Sequence, residues 1–132
     1  MKTMNVLKTM LCILVLGLTI SCSKDKDAPI PADSRNVKYE ITGNATGTFD
    51  ATYITGSGTG ANAVPTALPW SKEVVIQAGI ISIGLSSAVI GATPGKTITA
   101  KIYVGGVVKK EQSATVEANG TAIIAGLAYM LK

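Results

Sequence analysis

The 132-residue chain has no histidine, one tryptophan, one phenylalanine and two cysteines. Without histidine, the triads that activate a serine or cysteine nucleophile through an imidazole are excluded. Both cysteines, Cys12 and Cys22, fall within the first 22 residues, which leaves no structural cysteine for the rest of the chain. Small secreted domains often rely on disulfides; this one must hold itself by burial and strand pairing. Charged residues make up only 15% of the chain. Two of the twelve basic residues, Lys2 and Lys8, precede Cys22, leaving ten basic against eight acidic residues after it and a net charge near +2. Nucleic acid demands a concentrated basic patch, so no nucleic-acid partner is expected.

What is present is concentrated first in Leu16-Gly17-Leu18-Thr19-Ile20-Ser21-Cys22-Ser23-Lys24-Asp25. Lys2 and Lys8 form a positive n-region, and Met10 to Ile20 is an apolar run of about eleven residues. That is the length of a secretory h-region and well short of the ~20 residues a spanning helix needs. Ser21 supplies a small side chain beside the cut, and Cys22 stands where a bacterial lipoprotein is acylated. The lipobox is relaxed, with Thr19 in the place usual for leucine and Leu18 one residue further back. Ordinary cleavage near Ser21, leaving Cys22 as a free thiol, is the alternative. Residues 1–21 are therefore assigned as a lipoprotein signal peptide, Cys22 as the lipid anchor, and 22–35 as a flexible tether. One acyl chain holds a membrane only marginally and stable anchoring takes more; lipoprotein processing places several on one cysteine. Ser23 after the cysteine, rather than aspartate, favours the outer membrane, on either the periplasmic face or the cell surface. The Ser23-Lys24-Asp25-Lys26-Asp27 tract resembles the charged tails of Bacteroidota lipoproteins.

From Val37 onward the hydropathy period is two. Val37, Tyr39 and Ile41 alternate with Lys38, Glu40 and Thr42; Phe49, Ala51 and Tyr53 with Asp50 and Thr52; Ile98, Ala100, Ile102 and Val104 with Thr99, Lys101 and Tyr103. Ala114, Val116 and Ala118 continue the habit. This is the pattern of half-buried strands. Gly105-Gly106 and Asn119-Gly120 read as tight hairpins, Pro94-Gly95 as a turn, and Thr55 to Ala63 as a mobile Gly/Ser/Thr-rich loop. Val74 to Ala92 is uncharged for about nineteen residues, but its glycines, serines and alternation of Ile81, Ile83 and Leu85 indicate two buried strands joined near Ala78-Gly79. Residues 36–132 are thus expected to form one all-β domain, an antiparallel, immunoglobulin-like β-sandwich of about seven strands.

Catalytic chemistry has little to work with. Gly91 to Thr97 is one residue short of a phosphate loop, and a strand follows it where the phosphates need a helix N-terminus. Glu40, Asp50, Glu73, Glu111 and Glu117 lie on separate strands or turns and read as a solvated face. No metal-ligand spacing occurs. Asn44 and Asn119 open Asn-x-Thr triplets that read as turns. Trp70, preceded by Pro69, reads as a core anchor at a strand start, and Lys109-Lys110 as a solvated edge. No catalytic, cofactor or metal residue is expected, and the protein is expected not to be an enzyme.

Three blocks, Val37-Lys-Tyr39-Glu40-Ile-Thr-Gly43, Leu68-Pro69-Trp70-Ser71-Lys72 and Ile102-Tyr-Val104-Gly-Gly-Val107-Val108-Lys109-Lys-Glu111-Gln-Ser113, occur in that order. Together they resemble the extracytoplasmic domain of the mycobacterial small membrane proteins, the MmpS family, from about Val37 to Ala125. The resemblance implies a small β-sandwich and a non-enzymatic role assisting RND-type exporters of lipids and siderophores. It also implies a cysteine where this chain has Ala100, another near Ile123, and an N-terminal spanning helix; this chain departs from all three. The expected function is that of a lipid-anchored accessory or binding partner of a membrane or transport protein. The alternatives are a surface adhesion or glycan-binding module presenting Thr55 to Ala63, and a carrier of an apolar ligand between its sheets.

Overall fold

The computed structural model describes residues 31–132. The assigned signal peptide, Cys22 and the first part of the tether lie outside the described residues. Eight strands follow in order: β1 (Asn36–Gly43), β2 (Thr48–Ile54), β3 (Gly60–Ala63), β4 (Trp70–Val75), β5 (Ser82–Ile90), β6 (Thr97–Val104), β7 (Val107–Thr115) and β8 (Ala122–Met130). They form two four-stranded sheets, β4-β1-β6-β7 and β3-β2-β5-β8, with antiparallel pairing throughout. The all-β, two-sheet expectation holds, with eight strands in place of about seven.

Period-two patterning explains which face each residue takes. Val37, Tyr39 and Ile41 of β1, and Ile98, Ala100, Ile102 and Val104 of β6, point inward and are buried. Across the interface they meet Phe49 and Ala51 of β2, Ile83, Leu85 and Val89 of β5, and Ile124 and Leu127 of β8. Ala100 is fully buried. Near the second position where the resemblance implies a cysteine, Ile123 is exposed and its neighbour Ile124 is buried. Ala100 and Ile124 are thus buried apolar side chains at or beside the positions where the resemblance implies cysteines. Tyr39, Tyr53 and Trp70 close one side of the sandwich, with ring centroids 5.6 and 6.0 Å apart in tilted pairs. Trp70 packs against the core but is half-buried, because β4 is an edge strand; it is a lateral seal and not a central anchor.

The turns divide into those as expected and those not. Gly105 and Gly106 both have positive φ, +59° and +81°, and make the two-residue β6–β7 hairpin that this conformation favours. At Pro94-Gly95 the Lys96 amide donates to the Thr93 carbonyl, and a strand follows at Thr97. Asn44 and Asn119 cap turns, their side-chain oxygens accepting from the amides of Thr97 and Thr121 at 2.9 Å.

Asn119-Gly120 does form a tight turn, with the Gly120 amide donating to the Glu117 carbonyl at 2.9 Å. It is not a hairpin between paired strands: β7 and β8 belong to different sheets, and the turn serves a crossover. The alternation expected to run through Ala118 therefore stops at Thr115, the end of β7. The Thr55–Ala63 segment is also corrected. Its second half, Gly60–Ala63, is strand β3, paired to β2 from Ala51↔Ala63 to Ile54↔Gly60. Only small side chains mark this strand, so no hydropathic alternation announces it. The uncharged Val74–Ala92 run does hold strand segments on both sides of a turn at Gln77–Ile80. Only β5 is alternately buried, since β4 runs along an edge. Among the described residues no helix is long and apolar enough to cross a membrane.

Candidate functional site

The two sheets of the sandwich differ in charge. The strands of the β4-β1-β6-β7 sheet carry Lys38, Glu40, Lys72, Glu73, Lys101, Lys109, Lys110 and Glu111. Those of the β3-β2-β5-β8 sheet carry one charged residue, Asp50.

On the charged face, register brings distant residues into one network. Glu40 lies opposite Lys101 and Lys101 opposite Glu111, while Lys38 lies between Glu73 and Tyr103. The Tyr103 hydroxyl donates to Glu40 Oε1 at 2.9 Å, and Lys38 Nζ donates to Oε2 at 3.1 Å. Lys38 also sits 4.1 Å from the Tyr103 ring centre, a cation–π distance. Lys101 and Glu111 pair at 3.8 Å. Partial burial alone would push the Glu40 carboxyl up, but the hydrogen bonds from Tyr103 and Lys38 outweigh it and hold the carboxyl below its ordinary value. The same bonds push Lys38 and Tyr103 up. Glu40, Glu73 and Glu111 thus share one face, interleaved with lysines. That arrangement offsets charge; the reading as a solvated face holds for Glu73 and Glu111, while Glu40 is partly buried under its hydrogen bonds. Asp50 lies on the other sheet and Glu117 in the crossover turn.

Beside this network is an open depression of about 520 Å³ lined by Asn36, Lys38, Glu73, Val75, Tyr103 and Gly106. It occupies the end of the sheet where β1 begins and β4 ends.

The other outer face carries mostly small residues. Ser82, Gly84, Ser86 and Ala88 of β5 face outward beside Ala125 and Ala128 of β8. Ile90 and Ile123 stand on it about 60% exposed. A shallow depression of about 240 Å³ between Asp50, Thr52, Ser86, Ala88 and Ile123 lies at its centre. β8 is the outer strand of this sheet, nine residues long with no charged side chain. Natural edges usually carry charge or a bulge to prevent pairing; β8 has an irregularity opposite Leu85–Ser87 and Gly126 at φ +71°. One edge strand of the other sheet, β7, carries Lys109, Lys110 and Glu111, so the doublet read as a solvated edge lies on one.

A third cluster fixes the start of the domain. The Asp33 carboxylate accepts from the Tyr129 hydroxyl at 2.9 Å and from the Lys132 amide at 3.0 Å. The Asp33 amide donates to the Lys132 carbonyl at 3.1 Å, and Lys109 stands 3.7 Å from the carboxylate. The Lys132 amide and the Tyr129 hydroxyl hold the Asp33 carboxyl below its ordinary value, and Tyr129 is raised in turn. Arg35 donates to the Ile80 carbonyl at 2.6 Å. The last residues assigned to the tether are therefore already bonded to the domain. Local sequence gave no sign of this clasp, whose principal partners are 96 residues apart.

Among the described residues no group of three or more acidic or cysteine side chains is placed to hold a metal. Cys22, the one assigned site residue, lies outside the described residues. No curated protein matches the chain. The family described as Mycobacterium membrane protein matches residues 9–126, nearly the whole length, and this chain belongs to that family.

Proposed function

We propose that this protein is a lipid-anchored, non-enzymatic accessory of the cell envelope that docks onto a membrane or transport protein and assists it. The family match over residues 9–126 carries this reading. The outer face of the β3-β2-β5-β8 sheet, on which Asp50 is the one charged side chain, supplies a surface for it, because low charge marks protein interfaces. Ile90 and Ile123 are apolar anchors there, and Ser86 and Ala88 leave room for a partner's side chains.

The anchor is Cys22, acylated as the first residue of a Bacteroidota-type lipoprotein in the outer membrane. Its support is the apolar run that ends at Ile20, the small Ser21 before it and Ser23 after it. The test is affinity purification of the tagged full chain from membranes dissolved in mild detergent, with a reciprocal purification from the recovered partner. Enrichment of one membrane or transport protein in both directions is the expected result. Recovery only of abundant envelope proteins, in proportion to their abundance, would overturn it.

A further inference from the structure

Most of the exposed large apolar residues gather at one end of the sandwich. Val75 ends β4, Val107 and Val108 open β7, Met130 ends β8, and Ile81 precedes β5; their exposures run from 42% to 66%. Register gathers Val75, Val107 and Val108 at one end of their sheet and Met130 at one end of the other, and the short β4–β5 connection, with Arg35 bonded to Ile80 and Leu131 to Ile81, brings those two ends together. Val75 lies opposite Asn36, Val107 opposite Val104, Val108 opposite Tyr103, and Met130 opposite Ser82. The remaining three, Val64, Ile90 and Ile123, lie beyond β3, at the end of β5 and near the start of β8, away from that end.

The chain from the anchor joins the domain at this same end. Asp33 is held by Tyr129, Lys132 and Lys109, Arg35 by Ile80, and the Gly105 amide donates to Asn36. Between Cys22 and Asp33 there are eleven residue steps, at most ~40 Å of extended chain. The clasp removes the slack of the last residues and fixes which end of the sandwich faces back along the tether.

The chemistry of this end suits a lipid interface. Val107-Val108 is followed directly by Lys109-Lys110, an apolar pair beside a basic pair. Tyr103 and Tyr129, with one apolar side and one polar tip, flank it, and Lys109 lies 5.8 Å from the Tyr129 ring centre. Such residues sit at the boundary between headgroups and acyl chains. Basic side chains there are drawn to anionic headgroups. Asp33, the carboxylate nearest the tether, is compensated by Lys109, and Glu73 stands one row further in beside Lys38.

We infer that this end of the sandwich rests on the bilayer surface, with Val75, Ile81, Val107, Val108 and Met130 in contact with lipid. The inference rests on the anchor reading of Cys22. A tethered domain meets the membrane at high local concentration, so weak contacts suffice to orient it. The domain then stands upright on lipid, and its neutral sheet face looks sideways, along the membrane, toward a neighbouring membrane protein.

After processing, Cys22 is the one cysteine left and its sulfur is blocked by lipid, so an introduced cysteine can be labelled alone. The test labels Val75→Cys, Val107→Cys and Met130→Cys with an environment-sensitive fluorophore, beside Val64→Cys and Ile90→Cys. Each purified, lipidated full chain is placed in phosphatidylethanolamine/phosphatidylglycerol vesicles, with and without spin-labelled lipid. Quenching at positions 75, 107 and 130 severalfold above that at 64 and 90 is the expected result. In a Val107→Glu/Met130→Glu background, quenching at position 75 should fall severalfold while the unfolding midpoint stays unchanged. Co-flotation with vesicles but equal quenching at all five positions would overturn the lipid contact and leave the anchor standing. Failure to co-float would overturn the anchor reading, and this inference with it. Because these vesicles hold no other protein, an end that docks only on a protein would give no quenching.

Discussion

Asp33 and Tyr129, 96 residues apart, are joined by a 2.9 Å hydrogen bond that clips the start of the described domain to its last strand. Tyr129→Phe removes the donor and keeps the ring. The expected outcome is faster exchange of the Asp33 amide and faster tryptic cleavage after Arg35, with little change in the global unfolding midpoint. Unchanged cleavage would show that the clasp does not restrain this segment.

The carboxyls of Asp33 and Glu40 both lie below their ordinary values in the folded protein. A lowered carboxyl contributes stability that is present above its unfolded value, near 4, and is lost as pH falls through the lower folded value. The unfolding midpoint should therefore be flat from about pH 7 to 5 and fall below about pH 4. The Asp33→Asn/Glu40→Gln pair should be less stable at pH 7 and should show a shallower acid limb. Tyr39 behaves oppositely. Burial pushes it up to about 12, so its contribution is present below about pH 10 and is lost as pH rises through the folded value.

Ser87 is buried on β5 and its hydroxyl has no hydrogen-bond partner among the described residues. An unsatisfied buried hydroxyl costs about 1–3 kcal/mol, so Ser87→Ala should stabilise the domain by about 1 kcal/mol. For a domain of this size that is a rise of about 4–8 °C in Tm. A lower Tm in calorimetry would mean that the hydroxyl is satisfied.

Gly43 ends β1 at φ +142°, and a Cβ there would collide with the carbonyl oxygen of Thr97. That carbonyl accepts from the amides of Asn44 and Ala45. Gly43→Ala should destabilise by about 1–3 kcal/mol, the cost of a strained backbone. Gly91→Ala also meets a positive φ but open space, and should cost less. Chemical denaturation of the two variants decides the order.

Cys22→Ala should abolish labelling of the protein with a clickable fatty acid and release or mislocalise it. Persistent labelling in that variant would place the lipid elsewhere.

The fold was legible where alternation joins large and polar side chains, as in β1, β2 and β6. β3 was hidden because Gly60-Ala61-Asn62-Ala63 has no large residue to bury. Asn119-Gly120 was legible as a turn, but not as a crossover, because local sequence fixes backbone conformation and not which sheet receives the next strand. The network of Lys38, Glu40 and Tyr103 depends on β1 pairing with β6, a pairing that no spacing along the chain encodes. The neutral sheet face emerges only when β2, β3, β5 and β8 are set side by side. The clasp at Asp33 has no local signature, since its partners come from the last strand and the final residue.

Photocrosslinking in living cells tests whether the outer face of the β3-β2-β5-β8 sheet docks onto a membrane or transport protein. A photoreactive residue placed at Ala88 or Ile123, and at Lys101 or Ser113 on the charged face, reports what each face touches. A discrete adduct with one membrane or transport protein from positions 88 and 123, and none from 101 and 113, is the expected result. Adducts from positions 101 and 113 alone, or none from any position, would contradict it.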